Sequence, residues 1–458
     1  MKTLPLNTFR QYDIRGIADV EFTNEFVYHL GRAFATLMRQ EKKTRVSVGY
    51  DMRPSSDRIQ RELIRGLMDG GLSVTNLGML PTPLLYFSVS HLKLDAGICI
   101  TGSHNPIEYN GFKIHLQDRP FYGEEIQNLR QCMESENYQT GVGSCVSKDI
   151  KPAYMEYVKN LFHFKRPLKV VVDSGHGMGG VVAPELFKSM GVDVVELYSN
   201  LDPNFPDHHP DPADPKNLVD AQKKVLETQA DMGIAYDGDA DRIGLLDEKG
   251  NNIAGDKILL LCAREILKRK PGSVIIGDVK CSQSVYDALE KAGAKALMWK
   301  TGHSLVKAKM KETGAELAGE LSGHIFFKDG WFGFDDAIYA TCRVIDILAK
   351  DPRPLSEHLS DLPELSATPE LHFNCTDDNK FKIVEKVAAH FKKTNKVIEI
   401  DGARILFEKG WGLVRASNTQ PVLVMRFEAD NDANLMLIQR EIEAVVKKIS
   451  EGMSCFGR

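Results

Sequence analysis

Lys169-Val-Val-Val-Asp173, a helical stretch that stops at Gly191, and then Val192-Asp-Val-Val-Glu-Leu197 read as one right-handed βαβ unit. An apolar run that closes on a carboxylate is a buried strand whose end meets a loop. The helix stops at glycine, and the next apolar run resumes in parallel. The same order occurs twice more. Val46-Ser-Val-Gly-Tyr-Asp51 leads through a helical stretch to Gly70-Gly71 and Ser73-Val-Thr-Asn-Leu77, and Ser273-Val-Ile-Ile-Gly-Asp278 leads to Gly293 and Ala294-Lys-Ala-Leu297.

Each unit next offers a short apolar strand that ends in a glycine-bearing loop: AGICI before TGSHNP (101–106), MGIAY before DGDADR (237–242), AELA before GELSGH (319–324). Another apolar stretch follows each loop. A spacing of about a hundred residues is too long for a solenoid. It fits three similar α/β domains with mixed, largely parallel sheets, each presenting one loop at its carboxyl edge, where ligands of open α/β sheets sit. The C-terminal part breaks the pattern. Leu371–Cys375, Val397–Phe407, Trp411–Val414 and Val422–Phe427 read as strands, and Asp378–Lys392 and Asn431–Ile449 as helices, which makes a smaller α+β domain. Asp351-Pro-Arg-Pro354, running on to Pro369, is the expected linker. The expected domains are 1–149, 150–252, 253–365 and 366–458.

At 458 residues the chain is too long for one core. With 43% hydrophobic and 26% charged residues it has the composition of an ordinary soluble protein. A net charge of −5 gives no reason to expect nucleic acid, so a bound anion would need a local cluster of bases. The eight cysteines stand singly with no CxxC pair, which argues against a zinc ribbon and suits a reducing cytoplasm. Neither a signal peptide nor a membrane span is expected, because no sustained apolar segment occurs.

The loops carry the chemistry. Gly102 lets the backbone turn sharply, Asn105-Pro106 forces an exit, and Ser103 is left where it could carry a covalent intermediate. Taken alone, such a serine is more often a turn residue. In Asp237-Gly-Asp-Ala-Asp-Arg242 three carboxylates alternate with small residues and can converge on one hard cation, Mg²⁺. A calcium EF-hand is excluded, since Arg242 stands where that loop needs glycine and strands flank the motif. Glu320 and Ser322 have strand-like alternation and would face one side, which suits vicinal hydroxyls. Arg415-Ala-Ser-Asn-Thr-Gln-Pro421 lies between strands and offers one fixed cation, hydroxyls and turning N–H groups to a phosphate. Each of these last two is as readily an ordinary polar turn. Lys113, Lys280, His303 and Arg15 (in Tyr12-Asp-Ile-Arg15-Gly16) stand near loops and mean little singly. Trp331 and its aromatic neighbours read as core. Gly175-His-Gly-Met-Gly-Gly180 formally matches a dinucleotide loop, with Glu196 near the ribose position, so an NAD-dependent oxidoreductase is the alternative from another class. Against it, Asp173 and Ser174 precede the first glycine, and the other loops would go unused. The glycines read better as close helix–sheet packing.

Together and in order, TGSHNP, DGDADR, GELSGH and RASNTQP resemble the phosphoserine, metal, sugar and phosphate loops of the α-D-phosphohexomutase superfamily. The resemblance runs from Tyr12 to about Pro421 and is strongest to the bacterial phosphomannomutase/phosphoglucomutase group, through FRQYDIRG (9–16), WKTGHS (299–304) and GELSGHIFFKDGWFGFDD (319–336). Ala240 departs from the glycine of many members and is compatible if its φ is negative. The resemblance implies a four-domain, heart-shaped enzyme around a central cleft, cytoplasmic and monomeric, that acts on phosphosugars and binds neither nucleic acid nor membrane. Ser103 would carry a phosphoryl group, with Asp237, Asp239 and Asp241 holding Mg²⁺ and an oxygen of the phosphorylated Ser103 completing the metal site. Hexose 1-phosphate and hexose 6-phosphate would interconvert through a hexose 1,6-bisphosphate, which also serves as activator. Glu320 and Ser322 would bind the sugar in two opposed orientations, and Arg415, Ser417, Asn418 and Thr419 the phosphate that is not reacting. Arg15, Lys113 and His303 are candidates to polarise the hydroxyl or shuttle its proton. Tyr12, Lys280 and His324 would add contacts, and Arg242 would brace the metal loop or the phosphoserine. A hinge is expected near residues 363–370. Phosphoglucosamine mutase is the neighbouring alternative. A silent binding protein on the same scaffold is disfavoured, because Ser103 and all three aspartates are present.

Overall fold

The computed structural model describes residues 4–417 and 421–454. The first sheet holds β1 (Ile14–Ile17), β2 (Arg45–Tyr50), β3 (Ser73–Met79), β4 (Ala96–Ile100), β5 (Tyr109–Leu116) and β6 (Ser144–Ser147), in the order β1-β5-β4-β2-β3-β6. The second holds β7 (Lys169–Asp173), β8 (Asp193–Leu197), β9 (Met232–Tyr236), β10 (Ile243–Leu246) and β11 (Asn252–Ile253), in the order β11-β10-β9-β7-β8. The third holds β12 (Val274–Asp278), β13 (Lys295–Trp299), β14 (Leu317–Gly319) and β15 (Ile325–Phe327), in the order β13-β12-β14-β15. The expected repeat is therefore a repeat of topology. In each repeat the opening strand (β2, β7, β12) is central and pairs in parallel with the second (β3, β8, β13) and third (β4, β9, β14) strands, and the fourth (β5, β10, β15) returns antiparallel to the third, with β1 added beyond β5 at the edge of the first sheet. The loop between third and fourth strands thus lies at the carboxyl edge of the parallel strands in all three sheets.

The fourth sheet is β16 (Ser366–Ala367), β17 (Leu371–Asn374), β18 (Lys396–Ile398), β19 (Ala403–Phe407), β20 (Gly410–Ala416) and β21 (Val422–Ala429), antiparallel throughout. Two expectations change here. Val397–Phe407 is not one strand but two, folded into a hairpin at Gly402, whose φ is +89°. A Cβ at that glycine would meet the Val414 carbonyl oxygen at 2.5 Å, so the turn is tied down by β20. The linker is also shorter than expected. Ser366 and Ala367 already pair with β21, and Thr368 N–H donates to the Phe427 carbonyl at 3.0 Å, so residues 366–368 belong to the last sheet.

One hydrophobic cluster runs through the first three units, from Leu84 and Phe87 through Tyr154 and Val170 to Trp331 and Ile345, while the C-terminal unit packs its own core around Ile405, Val414 and Ile442. The helix Thr82–His91 carries the junction; Thr82 to Val89 are all buried. Trp331 stacks on Tyr339 with ring centroids 4.3 Å apart, as a core residue should. No helix among the described residues is long and apolar enough to cross a membrane.

Candidate active site

Ser103 follows β4 with φ at +50°, a left-handed conformation that costs a non-glycine residue ~1–3 kcal/mol. What holds it there is Arg53, just beyond β2. Its buried guanidinium donates to the carbonyls of Ser103 at 3.0 Å, Tyr109 at 2.9 Å, Asn105 and Pro106. Asp51 completes the clamp: it lies 3.2 Å from Arg53 Nε and accepts from Gly102 N–H at 3.0 Å and Ser56 Oγ at 2.6 Å. The serine hydroxyl donates to Asp237 Oδ2 at 2.8 Å, across from the first sheet to the second, and His104 Nδ1 lies 3.3 Å from the same Oγ. Gly238 permits this approach; a Cβ there would sit 2.3 Å from the Ser103 carbonyl oxygen.

The DGDADR loop wraps around Asp237, whose Oδ1 accepts from the backbone N–H groups of Asp241 and Arg242, each at 3.1 Å. The condition set for Ala240 fails: its φ is +60°. Ala240 N–H donates to the Asp237 carbonyl at 3.1 Å, and the closed turn keeps the strained residue in place. Asp237, Asp239 and Asp241 are fully buried, with one oxygen from each within 4.8 Å of the others. Burial, then the charges of Asp239 and Asp241, push the Asp237 carboxyl well above its ordinary range. Burial opposes ionisation of Asp239 too, but Lys113 outweighs it; that ammonium, from β5, bridges Asp239 Oδ2 at 2.6 Å and Asp241 Oδ2 at 2.5 Å. Asp239 Oδ1 and Asp241 Oδ1 are buried with no hydrogen-bond partner. An all-oxygen set with orphaned oxygens fits a hard divalent cation.

The third sheet supplies the next wall. Glu320 and Ser322 do share a side, but not by strand alternation: residues 320–324 form a turn in which Glu320 N–H donates to the His324 carbonyl at 2.9 Å. The Ser322 hydroxyl donates to Glu320 Oε2 at 3.3 Å, and Glu320 Oε1 accepts Gly302 N–H at 2.8 Å. Arg242 Nε donates to His324 Nε2 at 2.9 Å, so that nitrogen is the acceptor and the ring N–H is on Nδ1, which lies 3.0 Å from Asp335 Oδ2. His303 heads a helix behind Gly302, 5.6 Å from the Tyr12 ring and 5.9 Å from His324. Burial, then Lys307, hold its imidazole well below the usual range, and its Nε2 is unpartnered. Burial, then Asp13, raise the Tyr12 phenol, which also feels Arg415, Glu320 and Arg15. Arg15 pairs with Asp13 at 2.7 Å.

The fourth unit closes the ring. Thr301 N–H and Arg415 Nε both donate to Asp401 Oδ2, at 3.1 and 3.0 Å. Lys280 pairs with Glu370, and Arg426 donates to the Lys280 carbonyl. Burial opposes ionisation of Glu370, but Lys280, Arg415 and Arg426 bring its carboxyl down to about 2. The Ser417 carbonyl accepts from the buried Lys380 Nζ at 2.7 Å. Asn418 and Thr419 lie outside the described residues. Among the described residues, Ser103, Lys113, the three aspartates, Arg242 and His324 form one group; Lys280 and Arg415 form another around Glu370; and Tyr12, which feels both Arg415 and Glu320, joins them with Gly302, His303 and Glu320. Ser417 is placed by its carbonyl on Lys380 and its N–H on the Val422 carbonyl. The sequence reading missed Arg53, Thr82, His104, Asp335 and Lys380.

The GHGMGG stretch is packing. Met178 N–H donates to the Gly238 carbonyl at 2.9 Å, and Cβ atoms at Gly177 and Gly179 would meet that same carbonyl at 2.8 Å and the Tyr236 ring at 2.7 Å. The start of its short helix therefore braces the acidic loop instead of facing a pyrophosphate.

Comparison with known proteins agrees in all four units. Profiles described as phosphoglucomutase/phosphomannomutase alpha/beta/alpha domains I, II and III match residues 6–140, 152–250 and 254–365, and the C-terminal domain of that family matches 370–445. The chain is 44% identical over 453 residues to a phosphomannomutase/phosphoglucomutase of Pseudomonas aeruginosa, covering 98% of both. It is 42% identical over 452 residues to a phosphoglucomutase of Neisseria gonorrhoeae, again covering 98% of both. A crystal structure of a phosphoglucomutase/phosphomannomutase family protein from Burkholderia thailandensis superposes with a TM-score of 0.92 at 42% identity, covering 98% of each chain.

Proposed function

The chain belongs to the phosphoglucomutase/phosphomannomutase family and is an intramolecular phosphotransferase that interconverts hexose phosphates; from that premise we propose that Ser103 is the phosphoryl carrier. One observation supports this reading above the others: a strained, clamped serine hydroxyl donates at 2.8 Å to a buried acidic loop of the neighbouring sheet. The phosphorylated Ser103 gives its PO₃ unit to the free O1 or O6 hydroxyl of a glucose or mannose phosphate. The Ser103 Oγ–P bond breaks, a sugar O–P bond forms, and the hydroxyl proton leaves to a base. The resulting hexose 1,6-bisphosphate turns over in the cleft and returns its other phosphoryl group to Ser103, so it also primes the enzyme as activator. Asp237, Asp239 and Asp241 would hold Mg²⁺, which when bound neutralises charge on the group in transfer.

The other residues divide by charge state. Arg15 is a permanent cation, and Lys113 is kept protonated by its two carboxylates; both polarise oxygen and neither takes a proton. His303, neutral and unpartnered at Nε2, is the proton carrier we favour. Arg242 braces His324 and the acidic loop. Glu320 and Ser322 take the sugar hydroxyls, and Tyr12, His324, Lys280, Arg415, Ser417, Asn418 and Thr419 receive the substrate and its distal phosphate. We divide the chain at 149/150, 252/253 and 365/366, and place it in the cytoplasm as a monomer. Purified protein assayed on glucose 1-phosphate and mannose 1-phosphate, with trace glucose 1,6-bisphosphate, should turn over at least one of them. Turnover of glucosamine 1-phosphate alone would overturn the assignment in favour of the phosphoglucosamine reading.

A further inference from the structure

Thr82 stands in the first unit, at the head of the buried helix Thr82–His91, yet both its polar contacts with the acidic loop go to one residue of the second. Its backbone N–H donates to the Asp239 carbonyl at 3.1 Å, and its hydroxyl donates to Asp239 Oδ2. The helix offers little play, because Thr82 is itself fully buried, the next seven residues are buried too, and Leu84 to Phe87 sit in a core shared by three units. The same Thr82 hydroxyl lies 3.4 Å from the buried Cys99 Sγ. Lys113 Nζ donates to the same Asp239 Oδ2 at 2.6 Å. Two donors therefore hold one oxygen of Asp239, while Oδ1 is left buried with no hydrogen-bond partner; Oδ1 of Asp241 likewise has none, though His324 Nδ1 lies 3.7 Å from it.

We propose that Thr82 is a positioning residue for the cation site: it fixes the rotation of the Asp239 carboxylate so that Oδ1 is the oxygen offered to the metal. The inference rests on the assignment of the three aspartates to a divalent cation. Groups that orient a metal-ligating carboxylate typically contribute ~10–100-fold in metal affinity. Valine matches threonine in shape and lacks the hydroxyl, so Thr82→Val removes the donor and little else. Serine keeps it.

The test is titration of Mn²⁺, followed by its paramagnetic resonance, into the EDTA-treated full-length protein and its Thr82→Val, Thr82→Ser and Asp241→Asn variants. Thr82→Val should weaken Mn²⁺ binding by about 10-fold or more, and Thr82→Ser should stay within about threefold of wild type. Turnover of Thr82→Val should recover at high metal concentration with the sugar phosphate KM unchanged, which a general loss of packing would not produce. Should Thr82→Val fail to fold, Thr82→Ala, which leaves space in place of the hydroxyl, must show the same loss. A hydroxyl-free variant that binds Mn²⁺ as wild type does, or an equal loss in Thr82→Ser, overturns the inference. Unchanged Mn²⁺ binding in Asp241→Asn would instead overturn the site assignment on which it rests.

Discussion

Replacing Arg53 by lysine keeps the buried positive charge beside Asp51 but discards the planar fork. The guanidinium serves five acceptors: the Asp51 carboxylate and the carbonyls of Ser103, Asn105, Pro106 and Tyr109. An ammonium has three donors, so at least two of the five lose their charged donor. Each hydrogen bond to a charged group contributes ~1.5–3 kcal/mol, or ~3–6 kcal/mol for two. Holding Ser103 at φ +50° costs ~1–3 kcal/mol, so the loss is large enough to let that loop relax. A nucleophile displaced by ~1 Å loses ~100-fold in rate. Arg53→Lys should therefore lower kcat by ~100-fold while KM for glucose 1-phosphate changes by less than about threefold, because Arg53 has no route to the sugar. Steady-state kinetics, read beside phosphoryl occupancy from intact-mass spectrometry, measure both effects. A folded Arg53→Lys protein with kcat near wild type, or one whose only change is a raised KM, would refute the clamp.

Two further outcomes are expected. Glu370 places a carboxylate among Lys280, Arg415 and Arg426, where a substrate phosphate is proposed to bind, so Glu370→Gln should bind inorganic phosphate several-fold tighter in inhibition assays; equal or weaker binding would count against that cradle. Asp336 is buried, caps the helix Ala337–Lys350 through Tyr339 N–H at 2.9 Å and accepts from the Tyr154 hydroxyl at 2.9 Å, and burial raises its carboxyl to about 7. The folded state thus holds this proton more tightly than the unfolded chain (ordinary value ~3.9), and the associated stability is lost as pH climbs from about 4 to about 7. Asp336→Asn keeps an oxygen at the cap and removes the titration, so its melting temperature should gain on wild type at pH 8 relative to pH 5; an equal difference at both pH values contradicts the assignment.

The fold was legible because its signals are local. Val170 to Val172 are buried strand residues whatever they pack against, and the carboxyl-edge loops follow from βαβ handedness. The failures came where a distant partner decides. Val397–Phe407 reads as one strand until β20 presses on Gly402. Ala240 reads as an ordinary residue until the closed turn around Asp237 holds it at positive φ. The loops that carry chemistry were visible as motifs, because each is one turn whose members stand close in sequence: Ser103 with its Gly102 and Asn105-Pro106, and the three aspartates with Arg242. Arg53, Thr82 and Lys380 were not, since they act through carbonyls or a carboxylate that lie 50, 157 and 37 residues away. Position was the available signal: Arg53 lies two residues past the acidic end of a central strand, on the same edge as Ser103.

Rapid-quench transfer from labelled glucose 1,6-bisphosphate to the protein, with the modified peptide located by mass spectrometry, addresses the central claim most directly. The account predicts one phosphoryl group on Ser103, chased off by glucose 1-phosphate at the rate of turnover, and neither label nor appreciable turnover in Ser103→Ala. Label on another residue, or full turnover by the alanine variant, would contradict it.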